Sequence, residues 1–143
     1  MTVFTNGCFD IFHAGHADLL KKCRTYGDYV VVGLNSDRSV KLLKGDTRPI
    51  CKEHDRKRVL EACRYVDMVI VFDDLTPYNL ILEIKPDIVV KGEDWKGKCV
   101  TPEGFEGRVV YVNFGIDIST SKIVRKMYES YAGRVRPSSK ENT

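Results

Sequence analysis

Short β-branched runs alternating with amphipathic helical segments predict an α/β fold. The expected form is a Rossmann-like, doubly wound parallel sheet of about five strands flanked by helices. Two observations carry this. The strand candidates are continuous apolar runs, such as YVVVGL at 29–34 and MVIVF at 68–72, as parallel strands buried on both faces require. Between strand candidates lie segments with helical periodicity, long enough to serve as crossovers.

The first strand is expected at Thr2 to Thr5, the second at Tyr29 to Leu34 and the third at Met68 to Phe72. The fourth, Ile88 to Val90, is entered through Lys85-Pro86-Asp87, and the fifth is Arg108 to Val112. One helix is expected from about Gly15 to Tyr26 with Leu19, Leu20 and Cys23 on its apolar face, and another from His54 to Tyr65 with Val59, Leu60 and Cys63 inward. Thr76-Pro77 opens a third through Ile84, with proline suited to the first turn. The last, Ser121 to Tyr131, carries an apolar stripe of Ile123, Val124, Met127 and Tyr131. Residues 1–133 read as one domain, and the polar stretch 134–143 with Pro137 reads as a mobile tail.

The chain has 143 residues, 43% hydrophobic and 30% charged, with a net charge of +3. That length buries a core without disulfides or metal staples. The modest charge, with no basic stripe interleaved with aromatics, argues against a nucleic-acid partner. A few cations focused in one cleft still suit small anions. Cys8, Cys23, Cys51, Cys63 and Cys99 are odd in number and form no C-x-x-C pair, so free thiols are expected. The start MTVFTNGCFD lacks the charged and apolar regions of a signal peptide, and no apolar run approaches the roughly 20 residues of a membrane helix. A cytoplasmic protein without a membrane partner is expected.

In a doubly wound sheet, ligands sit outside the carboxyl ends of the strands. The loop leaving the first strand is Asn6-Gly7-Cys8-Phe9-Asp10-Ile11-Phe12-His13-Ala14-Gly15-His16. Gly7 allows a tight bend and close approach to a ligand. His13 and His16, three residues apart at a helix entrance, point to one side, where free amides favour phosphate. Each imidazole could instead cap or pack locally. Third and fourth ligands at zinc spacing are missing, and no G-x-G-x-x-G follows this strand. Ile118-Ser119-Thr120-Ser121-Lys122 opens the last helix, so its hydroxyls either cap that helix or add a second phosphate cradle. Lys44-Gly45 ends a short helical stretch, from which Lys44 can swing over bound phosphates. Arg56 opens another helix, while Lys57 and Arg58 read as a solvated basic face.

His13-Ala14-Gly15-His16 within NGCFDIFHAGH, paired with ISTSK near the C-terminus, resembles the cytidylyltransferase-like nucleotidyltransferases over about residues 2 to 131. The adenylyltransferase domain of the ADP-heptose pathway is similar at NGCFDIFHAGH, NSDRSVKLLKGDTRPI, TPYNLILEIKPDIVVKGEDW and the Val112-Asn113-Phe114 step. Glycerol-3-phosphate cytidylyltransferase is similar at CRYVD, GEDWKGK and GIDISTSKI. The glycerol enzymes usually carry Arg-Thr-Glu-Gly before Ile-Ser-Thr. Here Phe114-Gly115-Ile116-Asp117 stands instead, which favours the heptose-like reading.

The resemblance implies transfer of a nucleoside monophosphate from an NTP to a phosphorylated sugar or polyol, with release of pyrophosphate. His13 and His16 would contact the α- and β-phosphates, Lys44 and Arg56 would neutralise oxygens, and Ser119, Thr120 and Ser121 would hold the distal end. Gly7, Cys8, Phe9, Gly92 and Asp94 would line the nucleotide site. Trp95, Asp37 and Asp10 would border the acceptor, with a structural role for Asp10 equally open. Mg²⁺ would arrive with the NTP, held mainly by phosphates and water, with Asp10 a candidate to help, and a homodimer is implied. Arg64-Tyr65-Val66-Asp67 beside the third strand suits an interface or a plain helix end. ATP with a heptose-type sugar 1-phosphate is the preferred pair, and CTP with glycerol 3-phosphate the alternative. A binding module without turnover would have no need of paired imidazoles. An aminoacyl-tRNA synthetase fragment would need room for an anticodon-binding domain.

Overall fold

The computed structural model describes residues 1–113 and 117–134. Five parallel strands form one sheet: β1 (Thr2–Gly7), β2 (Tyr29–Asn35), β3 (Met68–Phe72), β4 (Ile88–Gly92) and β5 (Arg108–Val112), in the order β3-β2-β1-β4-β5. Five helices connect or follow them: α1 (Ala14–Tyr26), α2 (Asp37–Lys44), α3 (Glu53–Glu61), α4 (Tyr78–Ile84) and α5 (Thr120–Arg134), with a 3₁₀ turn at Glu93–Trp95. This is the Rossmann-like, doubly wound arrangement that the strand–helix alternation predicts.

Alternation along the strands divides the core. Val3, Val30, Ile88 and Val90 pack with Cys23 of α1, and Val32 and Leu34 pack with Leu20 of α1 and Leu60 of α3. The intervening Phe4, Val31 and Val89 point to the other face and meet Leu80 and Ile81 of α4. Helices therefore cover both faces, as buried parallel strands demand. β1 lies mid-sheet, in register with β2 from Thr2 opposite Tyr29 to Gly7 opposite Leu34, and with β4 at Val3–Ile88 and Phe4–Val89. The chain winds from β1 through β2 to β3, then crosses back to β4. The carboxyl ends of β1 and β4 thus flank the topological switch point.

Several boundaries differ from the sequence expectations. β1, β2 and β4 run on by one or two residues, because polar Asn6, Asn35 and Lys91 continue apolar strands. α3 stops at Glu61, and Val59, expected inward, is exposed. Tight turns follow, with Cys63 N–H donating to the Leu60 carbonyl and Val66 N–H to Cys63. Asp67 then accepts from Val30 N–H and from Arg24, both at 2.7 Å, while Arg24 also donates to the Tyr65 carbonyl. The Arg64–Asp67 segment is therefore tied into its own chain through Asp67 and the Tyr65 carbonyl. Pro77 caps α4 rather than starting it. In α5, Ile123 and Val124 near its start are half-buried, while Met127, Tyr128 and Tyr131 face outward. The expectations for Phe114 to Ile116 and for the tail beyond Arg134 lie outside the described residues.

Candidate active site

At the switch point the first loop is shaped by strain and by a cap. Phe9 and Ile11 adopt left-handed backbone with φ of 47° and 52°, costly for large side chains and typical of loops that fix a site. His13 is the N-cap of α1. Its Nδ1 accepts from Gly15 N–H at 3.1 Å, and His16 Nδ1 accepts from His13 N–H at 3.2 Å. The rings stack with centroids 3.7 Å apart and planes 22° apart. Local capping and a site role are thus not alternatives. Because both Nδ1 atoms are occupied as acceptors, the neutral rings carry their protons on Nε2. Gly15 makes the stack possible: a Cβ there would stand 3.0 Å from the His13 ring and 3.2 Å from Ile118 of the second motif.

Burial sets the charge of the pair. It pushes His16 down to about 3, with the His13 ring adding to the effect, and it lowers His13. At neutral pH both are neutral rings able to donate from Nε2. A base whose folded pKa lies below its unfolded value binds more protons in the unfolded chain. Its contribution to stability is therefore full above about 6.5 and lost as pH falls towards about 3. Urea unfolding is expected to show declining stability from pH 7 to pH 4, with a smaller decline in His16→Asn. Equal declines in both proteins would contradict this assignment.

Asp10 joins three segments. Its buried carboxylate accepts from Ile50 N–H at 2.7 Å and Cys51 N–H at 2.9 Å, and its carbonyl accepts from Thr120 Oγ1 at 2.6 Å. The first motif, the 46–51 loop and the second motif are locked together. Ser119 Oγ accepts from Lys122 N–H at 3.2 Å and so serves the cap of α5, and Arg48 reaches Ser121 Oγ at 3.4 Å.

Two adjoining cavities open over this assembly. One, of 480 Å³, is lined by Gly7, Cys8, Phe9 and Asp10 on one side and by Val40, Leu43, Leu75, Pro77, Tyr78 and Val100 on the other. The second, of 340 Å³, is lined by His13, Gly92, Asp94, Ser119 and Ser121. Asn6, His16, Lys44, Arg48, Lys91, Trp95 and Thr120 belong to both walls and mark where the cavities meet.

The profile of the cytidylyltransferase-like family matches residues 4–131, a span that contains both motifs and the whole rim of the two cavities. The chain belongs to the cytidylyltransferase-like family. It is 51% identical over 125 residues to the Bifunctional protein HldE of Campylobacter fetus, covering 87% of this chain and 27% of that protein. The HldE of Wolinella succinogenes is 50% identical over 128 residues, covering 90% and 27%. The chain thus spans about a quarter of the length of these curated relatives. Among solved structures, the lipopolysaccharide core biosynthesis protein of Thermoplasma volcanium superposes with a TM-score of 0.66 at 28% identity, covering 79% of this chain and 96% of that one. Pantothenate synthetase of Thermus thermophilus shares the fold, with a TM-score of 0.63 at 18% identity, over 88% of this chain and 64% of its own.

In this member of the family two expected site residues face elsewhere. Arg56 is 2% exposed and lines neither cavity. It donates to the carbonyls of Cys51, Cys8 and Asn35 at 2.7–2.9 Å and to Asp37 at 2.9 Å. Asp37 is taken by that ion pair and by Glu53 N–H at 2.7 Å, so it too points away from the cavities. Nothing in the spacing showed that the guanidinium turns inward. Conversely, the sequence reading passed over Asn6, Arg48 and Lys91, which line both cavities. Asn6 and Lys91 stand near the carboxyl ends of β1 and β4, where a doubly wound fold places ligand contacts, and Arg48 comes from the loop that follows α2.

Lys44 is exposed at the C-terminus of α2, and Gly45 caps the helix with φ of 105°, leaving the lysine free to lean over the junction. Lys44→Ala is expected to weaken turnover or triphosphate affinity at least tenfold. Stability should stay within about 0.5 kcal/mol, the usual range for surface substitutions. Kinetics paired with a thermal melt check this; a large drop in melting temperature with activity retained would make Lys44 structural.

Proposed function

We propose that this chain transfers AMP from ATP to a heptose-type sugar 1-phosphate and releases pyrophosphate. The observation that carries the reading is the pair of cavities meeting at His16, Lys44, Arg48 and Lys91, where two anions can be brought together. The identity of about 50% to the HldE proteins over most of the chain favours a heptose phosphate with ATP over glycerol phosphate with CTP.

The chemistry asks little of side chains as acids or bases. A phosphate monoester has its second pKa near 6, so at neutral pH it attacks as a dianion without a general base. An acceptor oxygen forms a bond to the α-phosphorus, the α–β bridging bond breaks, and pyrophosphate leaves with the electron pair. What remains is to hold two repelling anions in line and to meet the charge on the transferring group. The Nε2–H groups of His13 and His16 are fixed donors for that charge. The 340 Å³ cavity, with Gly92, Asp94 and the Ser119–Ser121 turn, suits the nucleotide; the 480 Å³ cavity, walled by Leu43, Leu75 and Tyr78, suits the acceptor. Gly7, Cys8 and Phe9, expected beside the nucleotide, would therefore border the acceptor instead. Among the described residues no cluster of three or more His, Cys, Asp or Glu could hold a metal. A Mg²⁺ entering on the triphosphate would supply charge neutralisation, and chelation should abolish turnover. Among the described residues no helix is long and apolar enough to cross a membrane. A cytoplasmic location is part of the same reading, and fractionation of the native host would check it.

Pyrophosphate release measured for ATP and CTP against sugar 1-phosphates and glycerol 3-phosphate tests the substrate pair. ATP with a heptose 1-phosphate should turn over fastest. CTP turnover with a polyol phosphate, and none with ATP, would overturn the pair. A homodimer is part of the same reading, supported by the outward-facing Met127, Tyr128 and Tyr131 of α5. Only monomer in light scattering at micromolar concentration would remove it.

A further inference from the structure

Lys91 stands out from the cations around the junction. It is the penultimate residue of an otherwise apolar strand, is 7% exposed, and forms part of the wall of both cavities. Its Nζ lies 3.2 Å from Asn6 Oδ1 and 4.3 Å from the centroid of the Trp95 ring. Among the described residues no carboxylate forms an ion pair with it. Desolvating an ammonium is costly, and one neutral hydrogen bond with one aromatic face offsets that cost only in part. A buried cation held by neutral partners at the meeting point of two ligand cavities is therefore poised for an anion.

We propose that Lys91 receives the phosphate of the acceptor, leaving Asn6 and the Trp95 face to do so, and holds the attacking dianion beside the α-phosphate. This rests on the acceptor being a phosphate, as in the function proposed above, but on neither the base nor the sugar. Lys44 is exposed and Arg48 half-buried, whereas Lys91 is buried in the sheet, where water screens it least.

The pH dependence follows. Burial pushes Lys91 down to about 8, against the pull of Asp94 in the 3₁₀ turn and Cys8 in the first loop. The other groups facing the junction are His16 from α1, Lys44 from α2 and Arg48 from the following loop. A group with a pKa near 8 is mostly cationic at pH 7 and mostly neutral at pH 9, so phosphate affinity should fall roughly tenfold over that interval. A phosphate monoester is already a dianion throughout.

The test uses the whole chain with Mg²⁺ and an ATP analogue bearing a methylene between its α- and β-phosphates, so that the triphosphate site is filled. Methyl phosphate is the probe, titrated calorimetrically, with fluorescence of Trp95, the single tryptophan of the chain, as a second readout. Wild-type protein should bind saturably, with a fluorescence change as the ammonium leaves the indole, and about tenfold more weakly at pH 9 than at pH 7. Lys91→Met, which keeps the length of the side chain, should weaken binding at least tenfold at pH 7. Lys91→Arg should restore it and remove the loss at pH 9, because a guanidinium stays charged. Equal affinity in wild type and Lys91→Met, or no saturable binding by wild type, would overturn the proposal. Should methyl phosphate bind as described while no sugar 1-phosphate turns over with ATP, the substrate reading fails and the role of Lys91 stands.

Discussion

His13→Asn and His16→Asn should each lower kcat by about two orders of magnitude or more, with much smaller changes in the KM for ATP. Asparagine is the informative replacement. Its Oδ1 can take the place of the imidazole Nδ1, which accepts from Gly15 N–H in one ring and from His13 N–H in the other. The cap of α1 is thereby kept while the Nε2–H donor is removed. Donors aimed at charge that develops during the reaction contribute to the transition state more than to the ground state, so their loss falls on kcat. A single fixed donor of this kind is worth about 10²–10³ in rate. The two effects should not add fully, because the stacked rings position each other. Near wild-type kcat in either variant would limit that histidine to capping.

Arg56→Met is expected to produce the largest loss of stability, about 3–5 kcal/mol, mainly because three carbonyls lose charge-assisted hydrogen bonds to a buried guanidinium, with the partly solvated Asp37 adding less. The substitution strands Asp37 and three carbonyls, those of Cys8, Asn35 and Cys51. These belong to the first loop, the end of β2, the start of α2 and the approach to α3, so the bracket holds four segments at once. Arg56→Lys should rescue little, since one ammonium cannot reproduce the planar fork of donors. Urea denaturation gives the number. An undiminished midpoint with turnover abolished would instead place the guanidinium against substrate.

The fold was legible because the central strands carry buried apolar runs and the crossovers from β1 to β4 carry helical periods, while the β4–β5 connection holds only a 3₁₀ turn. The first motif was legible as a candidate site because a glycine, two histidines and a helix entrance coincide at a strand end. The inward turn of Arg56 was not legible, because it depends on carbonyls that converge from Cys8, Asn35 and Cys51, distant in sequence and adjacent only in the folded chain. Lys91 was passed over for a different reason. At the end of IVVK it reads as the polar close of a strand, and its burial follows from Trp95 folding back over it in the 3₁₀ turn. α5 shows the converse limit. Its stripe is helical in period, but periodicity does not say how much of the stripe is covered.

The central claim is that the phosphate of the acceptor attacks the α-phosphorus of the NTP. Supplying ATP with a sugar 1-phosphate labelled with ¹⁸O in its phosphate, and weighing both products, tests it directly. All of the label should appear in the nucleotide sugar and none in pyrophosphate. Release of ADP with a sugar bisphosphate, or label in the pyrophosphate, would contradict the account.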